Sequence, residues 1–257
     1  MKKVSIITLG CKVNQVESET IAENLEISGY DVKMGFDTAD IYIINTCAVT
    51  NEAERKSRNI ITKVLKLNPN ADIYVCGCSS EHNAENFKKT DRVKAVVGTA
   101  NKFTLIDTIK NNDNIISNNC ENNLISSTEN IRVNERTRAV LWVQNGCNNF
   151  CTYCLIPYLR GRETSFPLND IKNELVKLEK FASEIVITGI NLSSYGKDLE
   201  NSDGLIEIAR LFKNSPSRFR FSSLEVNVIT DEFLKELSTF DNFCDQFHLV
   251  GNLFLFL

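Results

Sequence analysis

Apolar residues in the first hundred positions come in short, nearly unbroken runs. Val4 to Leu9, Ile41 to Thr46, Ile73 to Gly77 and Val93 to Val97 are rich in β-branched side chains and show little polar alternation. Runs of this kind predict strands buried on both faces of a parallel sheet. Between them the spacing becomes helical. Glu17 to Ser28 sets Ile21, Ala22 and Leu25 on one side and stops at Gly29, a favourable helix end. Asn51 to Leu67 opens with an Asn51-x-x-Glu54 capping pattern and puts Ile60, Val64 and Leu67 on one side. The alternation predicts an α/β fold with an open parallel sheet.

From Arg138 the pattern starts again. Strands are expected at Ala139–Val143, Glu184–Thr188 and Phe219–Ser222, with helices near Asn169–Phe181, Gly204–Phe212 and Asp231–Leu237. Repeated βα units place function at the C-terminal ends of their strands. Between the halves, Asn111 to Asn130 is rich in Asn and Ser, which marks a surface connection. The division is therefore 1–113, a linker at 114–132, and 133–257.

Composition narrows the class. With 42% apolar and 24% charged residues among 257, the chain has an ordinary globular make-up. Its N-terminal apolar run is too short for a signal peptide and no stretch approaches a membrane span, so a cytoplasmic location without a membrane partner is expected. A net charge of −4 argues against non-specific nucleic-acid binding but not against local basic patches. Such patches occur at Arg55–Arg58, Arg132–Arg138, Arg160 with Arg162, and Arg218 with Arg220. Each by itself reads as a solvated or salt-bridged surface.

Nine cysteines in a reducing compartment point to metal or catalysis rather than disulfides. Cys11, Cys47 and Cys78 each follow the end of a predicted strand, where open α/β sheets bind ligands. They can converge in space, and three converging thiols suggest a cluster. A single free Cys would be only a compact hydrophobe. Cys147, Cys151 and Cys154 form a tight C-x3-C-x2-C run after another strand. A structural zinc wants four protein ligands, whereas an iron–sulfur cubane can take three thiolates. A zinc loop lacking its fourth ligand and a redox pair at Cys151 and Cys154 are the alternatives. Cys76 lies on its strand, and Cys120 has no partner spacing.

The string Gln144-x-Gly146-Cys147-x3-Cys151-x2-Cys154-x-Ile156-Pro157-x2-Arg160-Gly161 resembles the cluster loop of radical S-adenosylmethionine (SAM) enzymes, and of the tRNA methylthiotransferases among them. Leu9-Gly10-Cys11-Lys12-Val13-Asn14, Asn45-Thr46-Cys47-Ala48-Val49-Thr50 and Cys76-Gly77-Cys78 resemble the cysteine segments of that family's N-terminal domain. Ser79-Ser80-Glu81 departs from it, since an aromatic residue and a glutamine often stand there. Thr188-Gly189-Ile190-Asn191-Leu192-Ser193-Ser194-Tyr195-Gly196 resembles the segment beside SAM, and Ser222-Ser223-Leu224-Glu225 another facing the active site.

The resemblance implies an α/β N-terminal domain followed by an incomplete (βα) partial barrel. It implies two [4Fe–4S] clusters, one on Cys147, Cys151 and Cys154 and an auxiliary one on Cys11, Cys47 and Cys78. Asn191 would lie at bound SAM. The implied reaction adds a methylthio group to C2 of N6-threonylcarbamoyladenosine beside the anticodon of a tRNA. Partners would be the anticodon stem-loop and an electron donor such as flavodoxin or ferredoxin. The resemblance extends to about Leu249. The apolar ending Leu253-Phe254-Leu255-Phe256-Leu257 then reads as a truncated or frame-shifted end, with the family's closing TRAM domain absent. An inactive remnant that binds clusters without turnover is the alternative.

Overall fold

The computed structural model describes residues 1–88, 91–111 and 137–250. The expected linker with Cys120 and the apolar tail lie outside the described residues. The chain divides into two units, Met1–Arg132 with Phe150–Arg160, and Val133–Asn149 with Gly161–Leu257.

The first unit runs β1 (Lys3–Thr8), α1 (Lys12–Ile27), β2 (Asp31–Met34), β3 (Ile41–Thr46), α2 (Asn51–Leu67), β4 (Asp72–Gly77), α3 (Cys78–His82), β5 (Val93–Val96) and α4 (Thr104–Asn111). Its five strands form one sheet in the order β2-β1-β3-β4-β5, with every pairing parallel. β3 is central and buried along its whole length. Its side chains alternate between two cores. Ile41 and Ile43 join Ile21 and Leu25 of α1 and Leu105 of α4, while Tyr42 and Ile44 join Ile60 and Val64 of α2 and Phe87. Each such side chain contributes about 1.5–3 kcal/mol by leaving water.

The helix starts differ from the sequence reading. Thr50, not Asn51, caps α2, its hydroxyl accepting from the Ala53 amide at 3.1 Å. Leu67 is exposed rather than on the buried face. α1 begins at Lys12, well before Glu17, with Cys11 at its cap position. Its buried face includes Asn14, Glu17, Ser18 and Glu23, and these polar residues break the apolar period that would have revealed the first turns. β2 escaped notice because only Val32 of its four residues is buried.

The second unit adds β6 (Arg138–Asn145), β7 (Thr164–Ser165), α6 (Leu168–Leu178), β8 (Glu184–Gly189), α7 (Leu205–Leu211), β9 (Arg218–Phe221), β10 (Ser223–Glu225), α8 (Asp231–Leu237) and β11 (His248–Val250), while the short α5 (Ile156–Leu159) belongs to the first unit. β6, β8 and β9 are parallel neighbours, β7 flanks β6 antiparallel, and β10 pairs with β11. This is the α/β architecture expected, an open parallel sheet followed by an incomplete βα barrel. Among the described residues no helix is long and apolar enough to cross a membrane.

Candidate cluster-binding site

β1, β3 and β4 lie side by side, with Thr8 opposite Asn45 and Thr46 opposite Gly77. Their C-terminal ends therefore release Cys11, Cys47 and Cys78 from three adjacent strands, which run about 4.8 Å apart in a sheet. Cys11 is exposed, while Cys47 and Cys78 are buried. Burial pushes the Cys47 thiol up and the nearby Cys78 and Cys11 sulfurs push it further, against a hydrogen bond from the Val49 amide. The three thiols thus share one electrostatic neighbourhood. Cys76, one residue inside β4, is fully buried in the apolar core and is pushed up to about 12 by that burial.

Two polar side chains hold the strand ends together. The Asn14 amide donates to the carbonyls of Leu9 at 2.8 Å and Thr46 at 3.0 Å, joining the ends of β1 and β3. The Thr46 hydroxyl donates to the Cys76 carbonyl at 2.7 Å and accepts from the Ser80 amide at 3.2 Å, joining β3 to β4. Close approach also explains two glycines. Gly10 has φ +99°, and a Cβ there would lie 2.9 Å from Cys47 Cβ and 3.0 Å from its Sγ. Gly77 has φ +107°, and a Cβ there would meet the Thr46 carbonyl oxygen at 2.5 Å. Ser79 and Ser80, where the family pattern is broken, are buried, and Glu81 accepts from the Thr99 amide at 2.9 Å.

Beneath the thiols lies a charged core. Glu17 Oε1 accepts from Arg160 Nη1 at 2.9 Å, Lys102 Nζ contacts the other carboxylate oxygen, and Arg160 Nη2 donates to Asn14 Oδ1 at 2.6 Å. Against burial, Lys102 and Arg160 hold the Glu17 carboxyl below its ordinary range. Burial opposes the Arg160 charge as well, but Glu17, Cys78 and Cys11 raise its pKa well above the usual value. Arg160 is thus no surface residue, contrary to the expectation for its basic pair. The Arg55 and Arg58 cluster does fit that expectation, pairing with Glu52 and Glu54 along α2.

Of the C-x3-C-x2-C run, Cys151 and Cys154 lie in the first unit, where the Cys154 amide donates to the Cys151 carbonyl at 2.9 Å. Tyr153 and Tyr158 beside them are exposed. Cys147 lies in the second unit, past the end of β6. Its sulfur accepts from the Asn149 amide and from Asn191 Nδ2, each at 3.5 Å. Gln144, buried, fixes this arrangement. Its Oε1 accepts from the Asn191 amide at 2.8 Å and its Nε2 donates to the Gly146 carbonyl at 2.9 Å. Asn149 Nδ2 donates to Glu225 at 2.8 Å, the Glu225 amide donates to Ser193 Oγ at 2.8 Å, and Ser223 Oγ pairs with His248 Nδ1 at 2.8 Å. Sequence reasoning assigned Gln144, Asn14, Glu17 and Lys102 no role. Asn14 and Gln144 stand within the quoted motif segments, and nothing in the pattern marks Glu17 or Lys102.

Among the described residues no three His, Cys, Asp or Glu side chains are grouped as ligands of a single metal ion. A four-iron cluster makes a different demand, since each thiolate binds its own iron. The side chains carried at the ends of β1, β3 and β4 are all thiols, the donor type that such a cluster takes.

Residues 3–98 match the family described as "Uncharacterized protein family UPF0004", and residues 143–249 match the "Radical SAM superfamily". The chain is 35% identical over 95% of its length to the threonylcarbamoyladenosine tRNA methylthiotransferase MtaB of Rickettsia prowazekii, and 38% identical over 97% to that of Thermotoga maritima. It is 34% identical over 96% to the tRNA-2-methylthio-N(6)-dimethylallyladenosine synthase of Clostridioides difficile. It covers 57%, 58% and 55% of these relatives, so the chain spans little more than half their length. In fold it is similar to the cobalamin-dependent SAM radical enzyme OxsB solved with aqua-cobalamin and SAM, with a TM-score of 0.60 at 12% identity, covering 97% of this chain and 44% of that one. With its two halves matched in order, the chain belongs to the radical SAM tRNA methylthiotransferase family, whose cofactors include SAM and a [4Fe–4S] cluster.

Proposed function

We propose that the chain serves methylthio transfer to C2 of N6-threonylcarbamoyladenosine next to the anticodon of a tRNA. Cys147, Cys151 and Cys154 bind the radical-generating [4Fe–4S] cluster, Asn191 stands at SAM, and Cys11, Cys47 and Cys78 bind a second cluster. Bound SAM and cluster supply one-electron cleavage chemistry that no side chain can perform. The protein's part is orientation. Asn191 donates to the Cys147 sulfur and is itself held by Gln144, while Asn14 and Thr46 tie together the strand ends that carry the other three thiols.

The observation that carries the reading is the trio of thiols on adjacent strand ends. A single radical SAM loop does not call for it, whereas delivering sulfur calls for a second metal site. The substrate follows the names of the relatives at 35% and 38% identity. An electron donor such as flavodoxin or ferredoxin supplies the reducing equivalent, and the location is cytoplasmic.

Anaerobic reconstitution with iron and sulfide tests the reading. About eight irons per chain, two four-iron clusters, are expected, with SAM cleavage under a chemical reductant. tRNA from a strain carrying only this copy should contain the methylthiolated nucleoside by mass spectrometry. Bound zinc without an iron chromophore overturns the proposal. Clusters without SAM cleavage reduce the chain to a cluster-binding protein.

A further inference from the structure

Gln144, near the end of β6, is fully buried, and both ends of its carboxamide are in use. Nε2 donates to the carbonyls of Asn145 at 2.7 Å and Gly146 at 2.9 Å, and lies 3.3 Å from Ser194 Oγ. Oε1 accepts from the Asn191 amide at 2.8 Å, while Ser194 Oγ donates to the Asn191 carbonyl at 2.9 Å. Asn191 is thus held by its backbone on both sides. Gly189 leaves the room for this, since a Cβ there would lie 2.9 Å from Gln144 Oε1 and 3.0 Å from Gln144 Cβ.

The side chain so held reaches a sulfur. Asn191 Nδ2 and the Asn149 amide each donate to Cys147 Sγ at 3.5 Å. Cys147 is buried, and among the described residues no group accepts a hydrogen bond from it. A thiol both donates and accepts, whereas a thiolate only accepts. Surroundings made of donors alone therefore suit the thiolate, to which such bonds are charge-assisted.

We propose that Gln144 is a positioning residue that raises the reduction potential of the cluster on Cys147, Cys151 and Cys154, by holding the Asn191 carboxamide as an N–H donor to the Cys147 thiolate. The inference rests on the preceding reading that these three thiols hold a cluster. Reduction adds one electron from the reductant and neither makes nor breaks a bond. Hydrogen bonds to the sulfurs draw negative charge away from the irons and favour the form with the extra electron. Gln144 touches neither sulfur nor iron and acts only through Asn191.

The test uses the full chain with Cys11, Cys47 and Cys78 replaced by alanine, so that only the second site can load, and omits SAM. The potential is measured by dithionite titration followed by electron paramagnetic resonance, with iron content determined in each sample. Asn191→Ala removes one donor and should lower the reduction constant at least ~3-fold, about 28 mV at 59 mV per tenfold for one electron. Asn191→Asp puts a carboxylate of the same size against the sulfur and should lower it at least ~10-fold, about 59 mV. Gln144→Met should match Asn191→Ala, and combining the two should give no further fall, the non-additivity of residues that act as one unit. If Gln144→Met does not retain iron, Gly189→Ala decides, because it crowds Gln144 without deleting a hydrogen-bonding group and should shift the potential in the same direction. An unchanged potential in both Asn191 variants at full iron content overturns the proposal, as does a Gln144 effect that adds fully to that of Asn191→Ala. A parent protein without iron at this site overturns instead the reading on which it rests.

Discussion

Replacing Gly10 with alanine probes the close passage of the β1 end past Cys47. Gly10 has φ +99°, and the added methyl would sit 2.9 Å from Cys47 Cβ and 3.0 Å from its sulfur. The left-handed conformation costs an L-residue about 1–2 kcal/mol, and overpacking a buried contact adds about 1–3 kcal/mol. Gly29 provides the control. It has φ +88° with nothing within 4 Å of its would-be Cβ, so Gly29→Ala should show the conformational cost alone, about 1–2 kcal/mol. Native-state hydrogen exchange of the β3 amides reads both variants within the first unit. The expected order is Gly10→Ala well below Gly29→Ala in protection, and the cluster proposed on Cys11, Cys47 and Cys78 should lose iron only in the former. Equal losses in the two variants would falsify the argument, because Cys47 would then be free to move aside.

Three further outcomes follow from the same site. Asn14→Ala removes the amide that joins Leu9 to Thr46 and leaves Arg160 without that acceptor. A cost of about 1–3 kcal/mol is expected from groups left unsatisfied in the interior, checked by the same exchange measurement. The folded-state pKa of Glu17 lies below its ordinary 4.5 because of Lys102 and Arg160. Its stabilising contribution is therefore present above about pH 4.5 and is lost as pH falls through the lower folded value. Denaturant midpoints followed from pH 7 downward should drop in that acid range, and a midpoint flat to pH 3 contradicts the pairing. Cys76, buried and pushed up to about 12, should resist iodoacetamide at pH 8 long after exposed Cys11 is labelled. Mass spectrometry of a labelling time course decides it, with early Cys76 modification as the contrary result.

Much of this protein is written in local pattern. Apolar runs gave β1, β3 and β4 because strands buried on both faces need no polar partner, and α2 and α8 follow their helical spacing to the residue. The position of Cys11, Cys47 and Cys78 at strand ends was legible for the same reason, as was the tight run at Cys147. What tertiary structure alone decided is the polar interior around those thiols. Nothing near Glu17 in the chain announces Lys102 or Arg160, which lie far away in sequence and meet it only after the sheet has formed. Arg160 reads as a surface charge until the fold gives it a carboxylate and a set of thiols. The start of α1 was hidden for a related reason. Its first turns bury Asn14 and Glu17 instead of apolar side chains, and the value of burying a polar group depends on partners that only the folded chain brings within reach.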